Sequence, residues 1–518
     1  MAKIHATPGV YIEEQSAFPN SVVPIETAIP AFIGYTEKAI NNKKGLTNVP
    51  MRISSLQEFL LFFGAAPKTT YDIEVNQLNY KLQPKAQYFL LYNSIRLFFA
   101  NGGSACYIIS IGNYDQTVEL DDFLGEKIVD NQTKTIGINT LLKESEPTML
   151  VIPDAVLLKE KDCYKLQQLM IEHCGFMRSR IAILDVYNGF KKRSPGQDDV
   201  INKFRSGIGT NFLDYGVAYY PWLNTTVIGK EEVNFLNIDI ASRAGFIKLL
   251  KVDNTQNVKK GLLDQLRADK ITTEIERIPT AVLKTKLVLK GKAGKVPKID
   301  VKTLHQTLLA VSPLYRDIMD EIRESLNLLP PSGGMAGVYS MVDSSVGVWQ
   351  APANVSITSV VSPAVNITNE EQEDLNVPLS GKAINAIRTF PGRGVLVWGA
   401  RTLDGNSQDW RCISVRRTLI YIEQSLKYTA KAYVFEPNTA STWTNLKALI
   451  TNFLTDTWQQ GALAGASADQ AFSVDIGLGV TMTSMDILDG IMRISVKLAI
   501  TRPAEFIVVT FEQQMQKS

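Results

Sequence analysis

Two parts of the chain alternate apolar runs of strand length with amphipathic stretches of helical length. In residues 88–111, YFLLYNSIRLFF carries apolar side chains at helical spacing, NGG ends that pattern, and the apolar run SACYIISI follows. Residues 148–223 repeat the order, with TMLVIPD, an amphipathic helical segment, and the apolar runs RIAILDV and YGVAYYPWL. Strands that alternate with helices predict an α/β layer with a largely parallel sheet. We therefore expect an α/β (α+β multidomain) protein with mixed sheets.

The length of 518 residues is too great for one compact core, so we expect more than one domain. We place an N-terminal arm at 1–24, an α/β domain at 25–362, and a C-terminal domain at 363–518 that ends in a second arm, 503–518. Residues 224–330 contain the lysine-rich run KTKLVLKGKAGKVPKIDVK, whose periodicity is poor. A lysine run is typical of a solvated face, so we interpret this range as a surface insertion into the α/β domain.

Composition excludes several classes of protein. The net charge is +2, whereas a dedicated nucleic-acid binder usually has a strong basic excess. No apolar stretch reaches the ~18 residues that span a bilayer, and no secretory signal follows the first residues. We expect a chain that is made and kept in the cytosol before any release, without membrane insertion. The four cysteines form no CxxC pair and are expected to be buried thiols.

No motif for catalysis or cofactor binding stands out. The chain has three histidines and lacks GxSxG, HExxH, GxxxxGK[ST] and the spacing of a calcium loop. The glycine-rich segments SGGMAG and PGRG lack the strand-turn-helix context of a phosphate-binding loop, and we interpret both as turns. We predict no catalytic residue, no cofactor and no metal site. An α/β enzyme with a binding insertion is the alternative, and it would need a base and a nucleophile in one pocket.

Both ends of the chain carry strand-forming segments. Pro8 and Gly9 block a helix, Val10 to Ile12 favour a strand, and the prolines that follow leave this strand without a hairpin partner. The segment EFIVVTFE lies near the other end. Each strand either completes a sheet of its own subunit or adds to an exposed sheet edge of a neighbour. In the second case the contact propagates into rings or helices when donor and acceptor lie on different faces.

An ordered set of motifs is similar to one known family. TPGVYIEE, SLQEFLLFFG, SIRLFFANGGSACYIISI, PPSGGMAGVYSMVDSSVGVWQAPANV, INAIRTFPGRGVLVWGARTL, ISVRRTLIYIEQSL and RPAEFIVVTFEQ follow one another as in the contractile tail sheath proteins of phages and related injection machines. The resemblance covers nearly the whole chain except about 224–330. One departure is Val346, which stands where the family often has arginine in an RGVW motif.

The resemblance implies a structural role without nucleotide. Its members form a homo-oligomer of hexameric rings, stacked in a helical sheath around an inner tube protein, together with baseplate and terminator or cap proteins, and no nucleic acid is bound directly. The sheath contracts as its domains move as rigid bodies, and the assembled particle is a phage tail or a released extracellular particle. The residues that the resemblance assigns to inter-subunit strands are Pro8, Gly9, Val10, Tyr11, Ile12 and Glu13 in the N-terminal arm, and Glu505, Phe506, Ile507, Val508, Val509, Thr510 and Phe511 in the C-terminal arm.

The resemblance also implies that the amphipathic helix at 442–460 faces the inner tube, with Lys447, Asn452 and Asp456 as the contacts. Three machines stay open: a phage tail, an extracellular injection particle and a type VI-like secretion apparatus. Because one chain holds both arms, the first two are favoured. A static tube or capsid protein is a further alternative, and it would show a single length state.

Overall fold

The computed structural model describes residue 22 and residues 24–76, 79–85, 88–129, 132–196, 198–280 and 300–506. These residues divide into two compact units. The larger unit comprises Ala28–Ser345 and Ala351–Ile413. The smaller unit comprises Val346–Gln350, the described residues from Ser414 onward and the described residues up to Thr27.

The strands are β1 Pro30–Thr36, β2 Ile40–Asn41, β3 Lys44–Gly45, β4 Met51–Ile53, β5 Tyr71–Asn76, β6 Asn79–Pro84, β7 Cys106–Asn113, β8 Glu126–Val129, β9 Gln132–Thr135, β10 Met149–Val151, β11 Ile181–Asp185, β12 Gly216–Tyr220, β13 Leu223–Thr225, β14 Leu328–Leu329, β15 Val355–Ser356, β16 Val360–Pro363, β17 Asn385–Phe390, β18 Gly394–Val397, β19 Phe472–Asp475 and β20 Ser495–Leu498. The helices are α1 Leu56–Phe63, α2 Leu91–Ala100, α3 Glu160–Met177, α4 Val200–Gly207, α5 Ile240–Lys259, α6 Gln265–Glu276, α7 Val301–Val311, α8 Pro313–Leu326, α9 Ser332–Ser345, α10 Asn369–Asn376, α11 Ile413–Lys431, α12 Ala440–Gln459, α13 Ala468–Ala471 and α14 Ser484–Leu488.

A nine-stranded sheet in the order β15-β18-β17-β12-β11-β10-β1-β7-β4 organises the larger unit. The six strands from β17 to β7 in this order pair in parallel, and β4, β18 and β15 pair antiparallel at the two edges. Every residue of β1, β10, β11 and β12 is buried, as expected for strands covered on both faces. The predicted mixed α/β class with a largely parallel sheet is confirmed.

Helices α2 and α9 approach each other closely because three glycines line their contact. A Cβ on Gly333 would lie 2.6 Å from the carbonyl oxygen of Ser94, and a Cβ on Gly337 would lie 2.4 Å from that of Phe98. The interpretation of SGGMAG as a turn is therefore wrong, since the segment forms the first turns of α9. The low helix propensity of glycine suggested a turn, but here the missing side chains allow backbone-to-backbone packing. PGRG is a turn, as predicted.

The described part of the insertion 224–330 has a core of its own. Helices α5 to α8 pack together and against β5, and their buried side chains include Phe246, Leu249 and Ile322 beside Tyr71 of β5. The insertion thus forms a folded layer of the larger unit, and its lysine-rich run falls largely outside the described residues. We predicted a surface insertion but not this core, because the lysine-rich run between α6 and α7 interrupts the helical periodicity of the sequence.

The two histidines that the structure describes are buried. His173 and His305 are both less than one-tenth exposed, and burial together with the charge of Arg180 lowers the pKa of His173 to about 4. His305 Nδ1 lies 2.8 Å from the hydroxyl of Tyr315. All four cysteines are buried free thiols, as expected.

A buried carboxylate holds the start of α9. Asp185 ends β11, and its Oδ1 accepts the backbone N–H of Ser332 at 2.8 Å while its Oδ2 accepts the Ser332 hydroxyl at 2.5 Å. Burial raises the pKa of Asp185 to about 7, against the lowering effect of these two hydrogen bonds. Asp154 is arranged similarly, since its carboxylate accepts the N–H groups of Tyr35, Leu90 and Leu91, and burial raises its pKa to about 6.

These shifts predict how stability depends on pH. A carboxyl whose pKa is higher in the folded than in the unfolded chain takes up a proton on folding, so the free energy of unfolding falls as pH rises from about 4 to about 7. Asp185→Asn removes one titrating group and should flatten this fall by at most about 1.4 kcal/mol per pH unit. Urea unfolding of both chains at several pH values measures the difference, and parallel pH profiles would contradict the assignment.

Two expectations differ from the structure in detail. The sequence of YVFEP after α11 favours a strand, because its tyrosine, valine and phenylalanine are strand-forming residues, but the segment is a turn. Residues 363–413, which we placed in the C-terminal domain, belong to the larger unit because β17 and β18 extend its sheet. No helix within the described ranges combines the length and the apolar character needed to cross a bilayer.

Candidate assembly surface

The smaller unit is built on one amphipathic helix. The apolar stripe of α12 packs against α11 and the β19–β20 sheet, and the buried members of this core are Val22, Ile422, Leu446, Leu449, Ile450, Phe453, Leu454, Leu463, Ala471 and Val474. The predicted inner face of α12 agrees with this core from Leu446 to Thr457. Trp443 is half-buried, and its indole N–H donates to Asn438 Oδ1 at 2.7 Å. The helix begins at Ala440, two residues before the start at 442 that the sequence indicated.

The predicted tube contacts are exposed but do not form one row. Lys447, Asn452 and Asp456 all lie outside the apolar stripe of α12. At 100° per residue, Asn452 and Asp456 are neighbours one turn apart, whereas Lys447 lies at the opposite margin of the stripe. Small polar side chains such as Thr444 and Asn445 occupy much of the remaining exposed face. A surface of this kind offers few strong contacts.

The sheet of the smaller unit has two open edges. β19 and β20 pair antiparallel from Phe472–Leu498 to Asp475–Ser495, and within the described ranges this sheet has no third strand. Each strand therefore has one edge along which its backbone N–H and C=O groups have no strand partner. Such edges are templates for an added strand, and two strands alone are rarely stable. The sequence did not reveal this acceptor, because FSVD and SVKL are too short to stand out.

Both terminal segments join this same unit. Val22 is part of its core, Ile25 donates its backbone N–H to Ser425 Oγ at 3.4 Å, and Arg417 Nη2 donates to the carbonyl oxygen of Thr27 at 3.0 Å. At the other end, Glu505 and Phe506 are exposed and lie outside any strand. The remaining predicted arm residues, Pro8 to Glu13 and Ile507 to Phe511, lie outside the described residues.

The segment that carries α12 and the open sheet is also the one that matches a known family. The family model for the phage tail sheath C-terminal domain matches residues 406–514. The tail sheath protein of Burkholderia phage BcepMu is 27% identical over 161 residues, which are 29% of this chain and 32% of that protein. Residues 406–514 are therefore similar to the C-terminal domain of phage tail sheath proteins. The tail sheath protein of Vibrio phage KVP40 is 23% identical over 168 residues, 32% of this chain and 24% of that protein.

Solved sheath structures match over almost the full length. The helical sheath of the anti-feeding prophage (AFP) in its contracted state is 26% identical, with a TM-score of 0.58 over 99% of this chain and 100% of that one. A chain of the AFP baseplate is 26% identical, with a TM-score of 0.57 and the same coverage. The contracted sheath complex of PVC, an extracellular contractile injection system, has the same fold at 24% identity and a TM-score of 0.56 over 99% of both chains.

The phage proteins and the sheath structures therefore match different lengths of this chain. The alignments with the two phage proteins span only 32% and 24% of those proteins, and so establish kinship for a segment. The AFP structures cover 99% of this chain, so the likeness includes both the larger and the smaller unit. In the described part of the chain, no three His, Cys, Asp or Glu side chains are grouped as metal ligands.

Proposed function

We propose that this chain is a non-enzymatic structural subunit of a contractile sheath, which polymerises as stacked hexameric rings around an inner tube and shortens to drive that tube through a target envelope. The observation that supports the proposal is the two-stranded β19–β20 sheet, whose edges carry no further strand among the described residues of the unit to which both terminal segments belong. Strand addition supplies main-chain hydrogen bonds to a neighbour without requiring a matching side-chain surface. An interface of this kind tolerates large rotations of the bodies it joins.

Contraction then requires no ligand. The larger unit has a continuous nine-stranded sheet and moves as one body, while the terminal segments between copies absorb the change in orientation. The free energy comes from better packing between copies in the shortened state. The weakly polar outer face of α12, with Lys447, Asn452 and Asp456, suits a tube contact that must break during contraction.

Among contractile machines, we favour an extracellular injection particle. Near-complete coverage by the AFP sheath at 26% identity supports this choice, whereas the phage relatives align over about a third of the chain. The chain is then assembled in the cytoplasm on a baseplate and closed by a terminator or cap protein. Neighbouring genes distinguish the cases, because capsid and terminase genes indicate a phage, and an ATPase with toxin cargo but no capsid indicates an injection particle.

The first test is to express the chain alone and image it by negative-stain electron microscopy. We expect hollow striated cylinders, because an acceptor sheet edge and a predicted donor strand on different faces of one molecule propagate without closing on themselves. Particles co-expressed with tube and baseplate should show two sheath lengths, one of them contracted. A single length under every condition would favour a static tube protein, and soluble monomers at every concentration would contradict self-assembly.

A further inference from the structure

A segment of the smaller unit exposes apolar side chains on a rigid backbone. We call residues 477–491, which connect β19 to β20 and contain α14, the apolar lobe. Leu478, Val480, Met485 and Leu488 of this lobe are 50%, 69%, 64% and 80% exposed. Large apolar side chains that are clustered at the surface usually mark an interaction site, whereas isolated ones need no explanation.

Polar contacts at the surface order the backbone of the lobe. Thr483 and Asp486 form a reciprocal cap, in which the Asp486 carboxylate accepts the N–H of Thr483 at 2.9 Å and Thr483 Oγ1 accepts the N–H of Asp486 at 3.2 Å. Arg493 Nε donates to Asp486 Oδ1 at 3.0 Å. Hydrogen bonds from the Thr483 backbone and hydroxyl, together with Arg493, lower the pKa of Asp486 to about 2, so this network stays charged at neutral pH.

A buried residue anchors the lobe to the unit. Met482 is 3% exposed, and the Thr481 hydroxyl donates to the carbonyl oxygen of Arg493 at 2.7 Å, which ties the start of the lobe to its end. The lobe thus presents apolar side chains to the solvent beside hydrogen-bonded polar side chains that order its backbone. A surface ordered in advance loses little conformational entropy when a partner binds.

The chemistry of the lobe selects its partner. Residues 476–492 contain Asp486 and Asp489 and no lysine or arginine, so an anionic membrane surface would not attract the lobe. Under the proposed function, an inner tube is released during contraction, so a strongly apolar contact between the lobe and the tube is disfavoured. The lobe is continuous with the strands of the open-edged sheet at both ends, so a copy that donates a strand there is also brought next to the lobe.

We propose that the apolar lobe binds a second copy of this chain in the assembled sheath and stays bound during contraction. The inference rests on the proposed function, and it adds a side-chain contact to the main-chain strand addition. Leu488 and Met485 are the central residues, because they have the greatest apolar length on the exposed face of α14. Their burial against a neighbour adds an apolar contact to the main-chain hydrogen bonds of strand addition.

The test is a double variant, Met485→Ser with Leu488→Ser, in the full chain. Both side chains are exposed, so we expect an unchanged thermal unfolding curve for the free subunit and a rise in the critical concentration for polymerisation on the order of tenfold. Val377→Ser with Leu379→Ser is the matched control, since those side chains are 55% and 105% exposed in the larger unit. Sedimentation of each polymer over a concentration series measures the effect.

A cross-link identifies the occupant directly. A photoreactive benzoylphenylalanine at position 488, in an equal mixture of isotopically heavy and light chains, should give cross-linked peptide pairs of mixed label from both extended and contracted sheaths. Cross-links to the tube protein without mixed-label pairs would overturn the inference, as would an unchanged critical concentration. Failure of the unmodified chain to polymerise would instead overturn the proposed function itself.

Discussion

A chain that lacks residues 1–16 is expected to fold as a subunit and to form no cylinders. These residues precede Val22, the first side chain placed in the core of the smaller unit, so their removal leaves both described units intact. If the segment donates a strand to β19 or β20 of a neighbour, its loss removes several main-chain hydrogen bonds at each joint of the polymer. Because each copy makes this joint, we expect polymer to disappear entirely from sedimentation and electron microscopy.

Substitutions of Tyr11 test whether the N-terminal segment acts by forming a strand or only by its length. Tyr11→Pro removes a backbone N–H within the predicted strand and should also abolish cylinders, whereas Tyr11→Thr keeps a residue that favours strands and should polymerise. If the chain without residues 1–16 forms cylinders at the same critical concentration as the full chain, the sheath assignment stands. The N-terminal segment is then not part of the contact between subunits. Circular dichroism of the free subunits checks that both variants fold.

The central sheet was predictable because its strands are buried on both faces. Strands such as β7 and β11 are continuous apolar runs, and a helix with a clear apolar stripe precedes or follows each of them. That order leaves few alternatives to parallel pairing. The edge strands β15 and β4 are two and three residues long, and they acquire strand geometry only because a longer strand lies beside them.

The assembly surface was only partly predictable. The apolar period of α12 showed its buried face. The positions of Lys447 and Asp456 relative to that face depend on where it is centred, and the structure places these two residues at its opposite margins. β19 and β20 are four residues each, and the lobe between them has no period of its own. Its exposed leucine and methionine resemble core residues in the sequence, because composition does not tell whether an apolar side chain points inward or outward.

Gly337→Ala is expected to destabilise the larger unit by about 2 to 3 kcal/mol. The added methyl would lie 2.4 Å from the carbonyl oxygen of Phe98 and 2.8 Å from Asn101 Cβ. Both partners belong to the end of α2, where the Asn101 side chain donates to the carbonyl oxygens of Leu97 and Thr358 and fixes the backbone. Room for the methyl therefore requires α2 and α9 to move apart, which disturbs the packing of both helices on the sheet.

Gly334→Ala, one turn earlier in α9, is the matched control. Its methyl would meet the Leu97 side chain at 3.1 Å, which a small rotation of that side chain relieves, and alanine favours the helix by about 1 kcal/mol. The free energy of unfolding in urea should consequently change by about 1 kcal/mol or less. Equal losses in the two variants would mean that close packing along the whole glycine-rich face of α9, and not the approach of Gly337 to the backbone of α2 in particular, causes the loss. A loss confined to Gly337→Ala would establish that α9 needs glycine for contact with α2, although such a segment resembles a turn in the sequence.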